Sequence, residues 1–488
     1  MSTQSHAVSR REFLGSAATA AAGTILVACT PTPTPVPTAK PTAASATTAV
    51  PATKAPQATQ PPAATQPAAV TPAPAKPGAK TVTFWTPWGA NVQKGLETVA
   101  AGADLKQALP DTTLDMKFAI TAEAMLTALA AGTPPDCAAN VDYLGLMARG
   151  VTLPLDDLVA KSSVIKKELY VPAAWNSGFY KGKMMALPAF QGGAAYSLLY
   201  NSRLVTEAGL DPAKPPLTWD ECMAWHKKLT KFDSAGNLVS IGFDPYDAMG
   251  GSLSFANGFY PSVSWGFKWY DADTGKLDLA NDKMAESLDV MGEFIKFMGP
   301  DKYAGFRQVK DQGGWGGAYR ASKQAVIING NWFPGVLING KFDCAQYTTT
   351  TWPPVPASRS GVRAQGLSCH FLVLLKGGKN LDGAFKFGEV LTMKSSLETL
   401  WKTVGWTPSI PSFANTLDPN TYPGFAFFIK SLTEASEMWA PAPCPVTAFA
   451  ETTWIQLREQ VYRGQKTSKQ AAQELQTLCE AELKKLKL

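Results

Sequence analysis

Leu114-Asp-Met-Lys-Phe-Ala-Ile-Thr-Ala-Glu-Ala-Met-Leu-Thr-Ala-Leu-Ala-Ala-Gly-Thr-Pro-Pro-Asp136 packs a strand, a cap, a helix and a stop into one stretch. Leu114, Met116, Phe118 and Ile120 recur at period 2, the spacing of a half-buried strand. Thr121 suits a helix N-cap, Met125, Leu126 and Leu129 form one apolar stripe, and Gly132 suits the stop. After Pro134-Pro135-Asp136 the pattern predicts a short strand to Val141 and a helix closing at Gly150. Strand and helix therefore alternate, which predicts an α/β fold with helices over a mostly parallel sheet.

The same alternation runs outward in both directions. Val82 and Phe84 mark a strand over Thr81–Trp85, and Ala194 to Tyr200 reads as another. Thr218-Trp219-Asp220-Glu221 is a capping box that starts a helix reaching about Thr230, and Thr467 with Gln470 opens a terminal helix in the same way. Ala325 to Asn329 reads as a buried strand running into Gly330-Asn331-Trp332, and Phe371 to Leu375 as a further one. From Thr81 to Leu488 the chain is too long for one ordinary core, so two lobes are expected.

Ahead of this body, residues 30–80 are almost all Pro, Thr, Ala, Ser, Val and Gln, with 13 of the 37 prolines. Such a segment cannot bury enough apolar surface to offset chain entropy and is expected to be a disordered, extended linker. At roughly 3 Å per residue it reaches on the order of 100 Å. The formal net charge of +6 is carried mostly by Arg10, Arg11 and the linker lysines Lys40, Lys54, Lys76 and Lys80. The near-neutral body that remains argues against nucleic acid as a partner. Arg10-Arg11 before a short apolar run resembles a twin-arginine export signal, and Leu26-Val27-Ala28-Cys29 resembles a lipobox. That resemblance implies cleavage after residue 28, lipidation of Cys29, and a place on the extracytoplasmic face of the cell membrane. Six cysteines follow in the body (Cys137, Cys222, Cys344, Cys369, Cys444, Cys479), without a CxxC pair or a zinc-ligand spacing.

The ordered motifs carry a family resemblance. Leu126 to Asp136 is similar to the A-G-x-x-P-D segment of extracellular solute-binding proteins of ABC importers, the maltose-binding-protein branch. Gly150-Val-Thr-Leu-Pro-Leu-Asp156, Gly182-Lys-Met-Met-Ala-Leu-Pro188, Leu199-Tyr-Asn-Ser-Arg-Leu-Val205, Ala208-Gly-Leu-Asp211 and Pro216-Leu-Thr-Trp-Asp-Glu221 follow in that family's order. Ile327-Ile-Asn-Gly-Asn-Trp332, Gly405-Trp-Thr-Pro408 and Gly464 to Ala471 complete the set. Two departures stand out: Cys137 with two alanines replaces larger apolar residues, and Met184-Met185 sits where an aromatic is common.

The resemblance implies a two-lobe, periplasmic-binding-protein-like fold of type II, with a ligand cleft between lobes joined by hinge strands. Lobe one is expected over 81–188 with 365–405, and lobe two over 189–364 with 406–488. It implies a carbohydrate ligand, permease subunits as partners, a monomer, no cofactor, no metal and no catalysis. Solutes of other kinds (polyol, glycerol phosphate, polyamine, ferric ion) stay open, and Arg359 and Arg363 near a crossing keep an anion open.

Ligands of open α/β sheets lie beyond the carboxyl ends of strands. That rule selects Trp85, Trp88, Asn140, Asp142 and Trp332, and Trp406 at the last crossing joins them. Flat indole faces suit sugar C–H faces, and Asp, Asn and Gln suit hydroxyls. Asn331, Gln191, Tyr196, Trp265 and Trp315, within Gly313-Gly-Trp-Gly-Gly317, complete the candidates. Against each stands a plainer role: core packing for the tryptophans, helix capping for Asn140 and Asp142, flexibility for the glycine loop. Trp219 reads as structural. No G-x-S-x-G elbow, phosphate-cradling loop or H-E-x-x-H is present, and nothing marks the carboxylate pair of a tethered glycosidase.

Overall fold

The structure is a computed structural model that describes residues 80–247, 255, 258–408 and 410–486. Arg10-Arg11, Cys29 and linker residues 30–79 lie outside the described residues, while Lys80, expected in the linker, begins the first strand. In chain order the main strands are β1 (Lys80–Trp85), β2 (Thr112–Lys117), β3 (Cys137–Ala139), β4 (Leu187–Ala194), β5 (Ser197–Asn201) and β6 (Lys231–Phe232). They continue with β7 (Leu238–Phe243), β8 (Gln324–Asn329), β9 (Thr348–Thr351), β10 (Ala364–Leu374) and β11 (Glu437–Trp439).

Two sheets organise them. The first runs β11-β10-β3-β1-β2, with β4 also paired to β10. β1 is parallel to β2 and β3, while β10 is antiparallel to β3 and β4. The second runs β9-β5-β8-β7-β6, mixed in direction, with β8 parallel to β7 and antiparallel to β5. The alternation read from the sequence is thus an α/β fold of two lobes, one on each sheet. Both sheets are mixed where a mostly parallel one was expected, because β10 runs antiparallel to β3 and β4, and β5 to β8 and β9. Each buries its own apolar cluster, around Phe84, Leu187 and Leu372 in the first and Trp219, Phe243 and Phe294 in the second.

Local sequence explains the element ends. The Thr121 side chain accepts from the Ala124 amide and starts the helix Ala122–Ala130; Gly132 after it takes φ 70°. Both capping boxes form, at Thr218/Glu221 and at Thr467/Gln470. A capping side chain contributes about 1 kcal/mol. Trp219 lies in the interior, its Nε1–H donating to Ser264 Oγ at 3.0 Å and its ring stacked near Trp265 at 5.4 Å.

Asp136 locks the first sheet. One oxygen accepts from the Thr83 amide at 2.7 Å and the Thr83 hydroxyl at 2.8 Å; the other accepts from the Asn380 amide at 2.6 Å. It thereby joins β1, the start of β3 and the cap of the helix Leu381–Leu391.

Two expectations shift. The strand expected to reach Ile120 stops pairing at Lys117, and Ala119 takes φ 55°. Its amide and that of Ile120 turn instead to the Trp88 and Thr86 carbonyls, at 3.0 and 3.1 Å. The strand expected from Ala194 to Tyr200 breaks at Ala195-Tyr196, where the chain passes from the first sheet to the second. Gln365 stands in for a neighbouring strand there: its Oε1 accepts from the Tyr196 amide and its Nε2 donates to the Tyr196 carbonyl.

Candidate functional site

The site is built at the crossing between lobes, from an irregularity in the β4–β10 ladder. Cys369 pairs with Gly192, but the next pair is Phe371 with Pro188. Ala189, Phe190 and Gln191 therefore face the single His370. Extra residues in one strand re-aim its side chains. Phe190 turns into lobe one, its ring 5.3 Å from Trp88 and 6.3 Å from Trp406. Gln191 turns towards lobe two, and its Nε2 donates to Asn331 Oδ1 at 2.8 Å.

Asn331 follows β8, so the second sheet positions it. Its Nδ2 donates to the Ala194 carbonyl at 2.9 Å, and its Oδ1 also takes the Thr407 amide at 3.4 Å. The Gly192 amide donates to the Thr407 carbonyl at 3.3 Å. One buried side chain thus holds β4, the last crossing and the β8 loop together.

Against this polar knot sits a triangle of rings. Trp88, His370 and Trp406 lie pairwise 4.8 Å apart between centroids, tilted or edge-on. Such arrangements contribute about 0.5–1.5 kcal/mol per pair beyond area burial. Trp88 stands beyond the carboxyl end of β1, as the strand-end rule requires. Burial pushes the His370 pKa down to about 3, so the imidazole is neutral at neutral pH. Trp332 is half-buried and packs against the cores of both lobes. Its indole lies over Gly330: a Cβ there would stand 2.3 Å from the ring.

Asp142 and Asn140 follow β3. Asn140 is exposed with φ 51°, a left-handed backbone that asparagine tolerates. Asp142 caps the helix Tyr143–Ala148, accepting from Gly145 at 3.0 Å. Asp142 is solvent-exposed, yet desolvation by the groups packed around it raises its carboxyl pKa, against the Gly145 bond and the Arg149 charge. Its helix packs against Thr447–Tyr462 of lobe two, and its charge helps to raise the Cys444 thiol there. Asp142 therefore faces the other lobe while also capping.

Four candidates lie elsewhere. Trp85 sits on the opposite face of β1 from Phe84, under the Lys117 ammonium at 5.1 Å. Trp265 is 2% exposed, inside lobe two against Trp219. Tyr196 is fully buried over Gly366, near Tyr260 at 4.8 Å. Trp315 packs on Phe333 at 5.5 Å. Its glycine loop is pinned, with Gly316 N donating to Asp247 and Arg307 bridging Asp247 and the Gly314 carbonyl.

Arg359 and Arg363 are committed as well, to Glu437 at 2.6 Å and Glu434 at 3.2 Å. The structure thus brings together Trp88, Gln191, Asn331 and Trp406, with Trp332 packed against both lobes, and adds three residues the sequence reading passed over: Phe190, His370 and Thr407. The period-2 run around Ser368 and His370, adjoining the expected strand at Phe371, was the available signal for the histidine.

Among the described residues no group of three or more His, Cys, Asp or Glu is placed to hold a metal ion. No helix among them is long and apolar enough to cross a membrane. What converges is flat aromatic surface beside neutral hydrogen-bonding groups, held where the two lobes meet.

Known structures share this architecture. A protein described as CpMnBP1 with mannotriose bound is 21% identical, with a TM-score of 0.69 over 82% of this chain and 100% of that one. A solute-binding protein from Agrobacterium vitis S4 with bound D-mannitol is 19% identical, TM-score 0.64, covering 83% and 99%. The sugar-binding protein MalE from Xanthomonas citri is 19% identical, TM-score 0.64, covering 83% and 98%. At such identities the likeness is one of fold. A comparison with curated protein sequences finds no match. Residues 112–426 match the family model for bacterial extracellular solute-binding proteins, and the chain therefore belongs to that family, whose members work outside the cytoplasm.

Proposed function

We propose that the protein binds a neutral carbohydrate or polyol at the crossing and delivers it to the permease of an ABC importer. The observation that carries this reading is the ring triangle Trp88–His370–Trp406 set against the uncharged groups of Gln191, Asn331 and Thr407. Indole faces suit sugar C–H faces, and neutral amides and hydroxyls suit sugar hydroxyls without the cost of burying an unmatched charge. Arg359 and Arg363, the cations an anionic solute would need, already hold carboxylates. The similar structures were solved with mannotriose and D-mannitol, which supports the same class.

Ligand touching both lobes favours the closed arrangement by its differential affinity for it. The Arg10-Arg11 signal and Cys29 belong to the same proposal: export, acylation, and a monomer tethered beside its permease on a loose linker, where local concentration is high. Trp332, Trp88, Trp406, Gln191, Asn331 and Asp142 are the proposed contacts. Calorimetric titration of the full chain with D-mannitol, mannobiose and maltotriose, beside spermidine, glycerol 3-phosphate and ferric citrate, tests the ligand class. Binding in the neutral set is expected; binding confined to the charged set rejects it. Retention of the wild type in membranes and release of a Cys29→Ser variant tests the anchor.

A further inference from the structure

Three polar atoms at the crossing are buried and have no hydrogen-bond partner among the described residues: Gln191 Oε1, Thr407 Oγ1 and His370 Nδ1. Gln191 and Thr407 are fully buried and meet at the same Asn331 oxygen. His370 stands opposite the Gln191 bulge and packs on Trp406, the residue before Thr407. Each atom left unpaired costs the free protein on the order of 1–3 kcal/mol. Trp454 Nε1 is another such atom, inside the core of lobe two. Here three lie on residues packed together at the crossing, beside aromatic rings and on segments that join the lobes.

We propose that Thr407, His370 and Gln191 form a hydroxyl-reading subsite, in which two or more hydroxyls of a neutral sugar or polyol pair with these atoms. The assignment rests on the carbohydrate reading above and deepens it. Gln191 Oε1 accepts, the Thr407 hydroxyl donates or accepts, and the neutral imidazole offers one nitrogen of each kind, according to tautomer. A hydroxyl group supplies a donor and an acceptor in one place, which matches this mixed set; an ammonium or a phosphate matches half of it. Because the atoms belong to the crossing segments, reading the hydroxyls and setting the angle between the lobes are one event. A site built to hydrogen-bond a hydroxyl rejects an analogue lacking it far more strongly than an apolar pocket rejects a methylene.

The consequence is an opposition between stability and affinity that ordinary packing residues do not show. Thr407→Val keeps the shape and removes an unpaired hydroxyl, and His370→Phe keeps the ring and removes both nitrogens. In the full chain without sugar, each is expected to hold or raise the melting midpoint, by about 1–2 °C. Titrated with whichever of D-mannitol, mannobiose or maltotriose binds the unaltered chain, each is expected to weaken binding about 10-fold. Thr407→Ser, which restores the hydroxyl, is expected to stay within about 3-fold of wild type. Unchanged affinity in Thr407→Val overturns the assignment, and so does a fall in midpoint that Thr407→Ser shares. If the unaltered chain binds none of the three sugars, the carbohydrate reading itself fails and the subsite fails with it. A sugar bound equally by both chains sinks the subsite alone.

Discussion

Gln191 of β4 donates to Asn331 beyond β8 at 2.8 Å, so the strand that leaves the first lobe is fastened to the second through one amide pair. Asn331 also serves the Ala194 carbonyl and the Thr407 amide. Asn331→Ala strands all three in a buried setting. A loss of about 2–3 kcal/mol in urea denaturation is expected, together with at least about 10-fold weaker sugar binding as Gln191 and Thr407 lose their placement. Full stability in the variant would mean that the knot is replaceable by water.

Trp332 depends on a glycine. A methyl group at Gly330 would stand 2.3 Å from the indole, so Gly330→Ala must swing the ring off its seat. Since only the far edge of the indole is struck, stability is expected to change by less than about 1 kcal/mol. Affinity is expected to fall about 10-fold. Wild-type affinity in this variant would remove Trp332 from the ligand contacts.

Asp136 carries a pH signature. Burial alone pushes its carboxyl up; hydrogen bonds from Asn380, Thr83 and Lys379 outweigh that and hold it below the usual value. A depressed carboxylate adds stability above the unfolded value near 3.9 and loses it as pH falls through the folded one. Asp136→Ala is therefore expected to cost about 3 kcal/mol at pH 7, with the gap to wild type closing as pH drops below about 4. A gap that stays constant down to pH 2.5 would show that the ionised form adds nothing.

His226 is held deprotonated as well, but there the favoured form is the neutral one. Burial lowers its pKa to about 4, against a bond to the Phe294 carbonyl and with a small push from Lys227. Its Nδ1 accepts from the Phe243 amide at 2.9 Å, which requires the neutral ring. The unfolded chain takes up the proton first, near pH 6.5, so this contribution is present above that value and lost as pH falls towards 4. From pH 7 to pH 5, wild type is expected to lose about 2 kcal/mol relative to His226→Gln. The comparison cancels groups that titrate in both, such as Asp247, whose carboxyl burial raises to about 6.

What the sequence made legible was short-range. Thr121, Thr218 with Glu221, and Thr467 with Gln470 cap helices through bonds spanning three residues, and such bonds are written locally. The alternation of strand and helix led to the α/β fold for the same reason. The bulge that sets Phe190 and Gln191 against His370 depends on register between strands nearly 180 residues apart in the chain, which no local pattern carries. The break at Ala195-Tyr196 is hidden likewise, because the side chain that satisfies it comes from Gln365. Tryptophans were ambiguous for a chemical reason. Trp88 and Trp265 are the same residue type, and only the fold puts one at the crossing and the other beneath Trp219.

All six cysteines of the body are buried and unbonded, with Cys137 and Cys369 in lobe one and Cys222, Cys344, Cys444 and Cys479 in lobe two. Burial raises every one of these thiols above its ordinary value. An alkylating reagent therefore reaches them by way of structural opening, at rates that report how often each region opens. Peptide mapping after timed alkylation separates the two sets. The chain carries its own pair of clocks, one per lobe, and sugar that bridges the lobes is expected to slow both together.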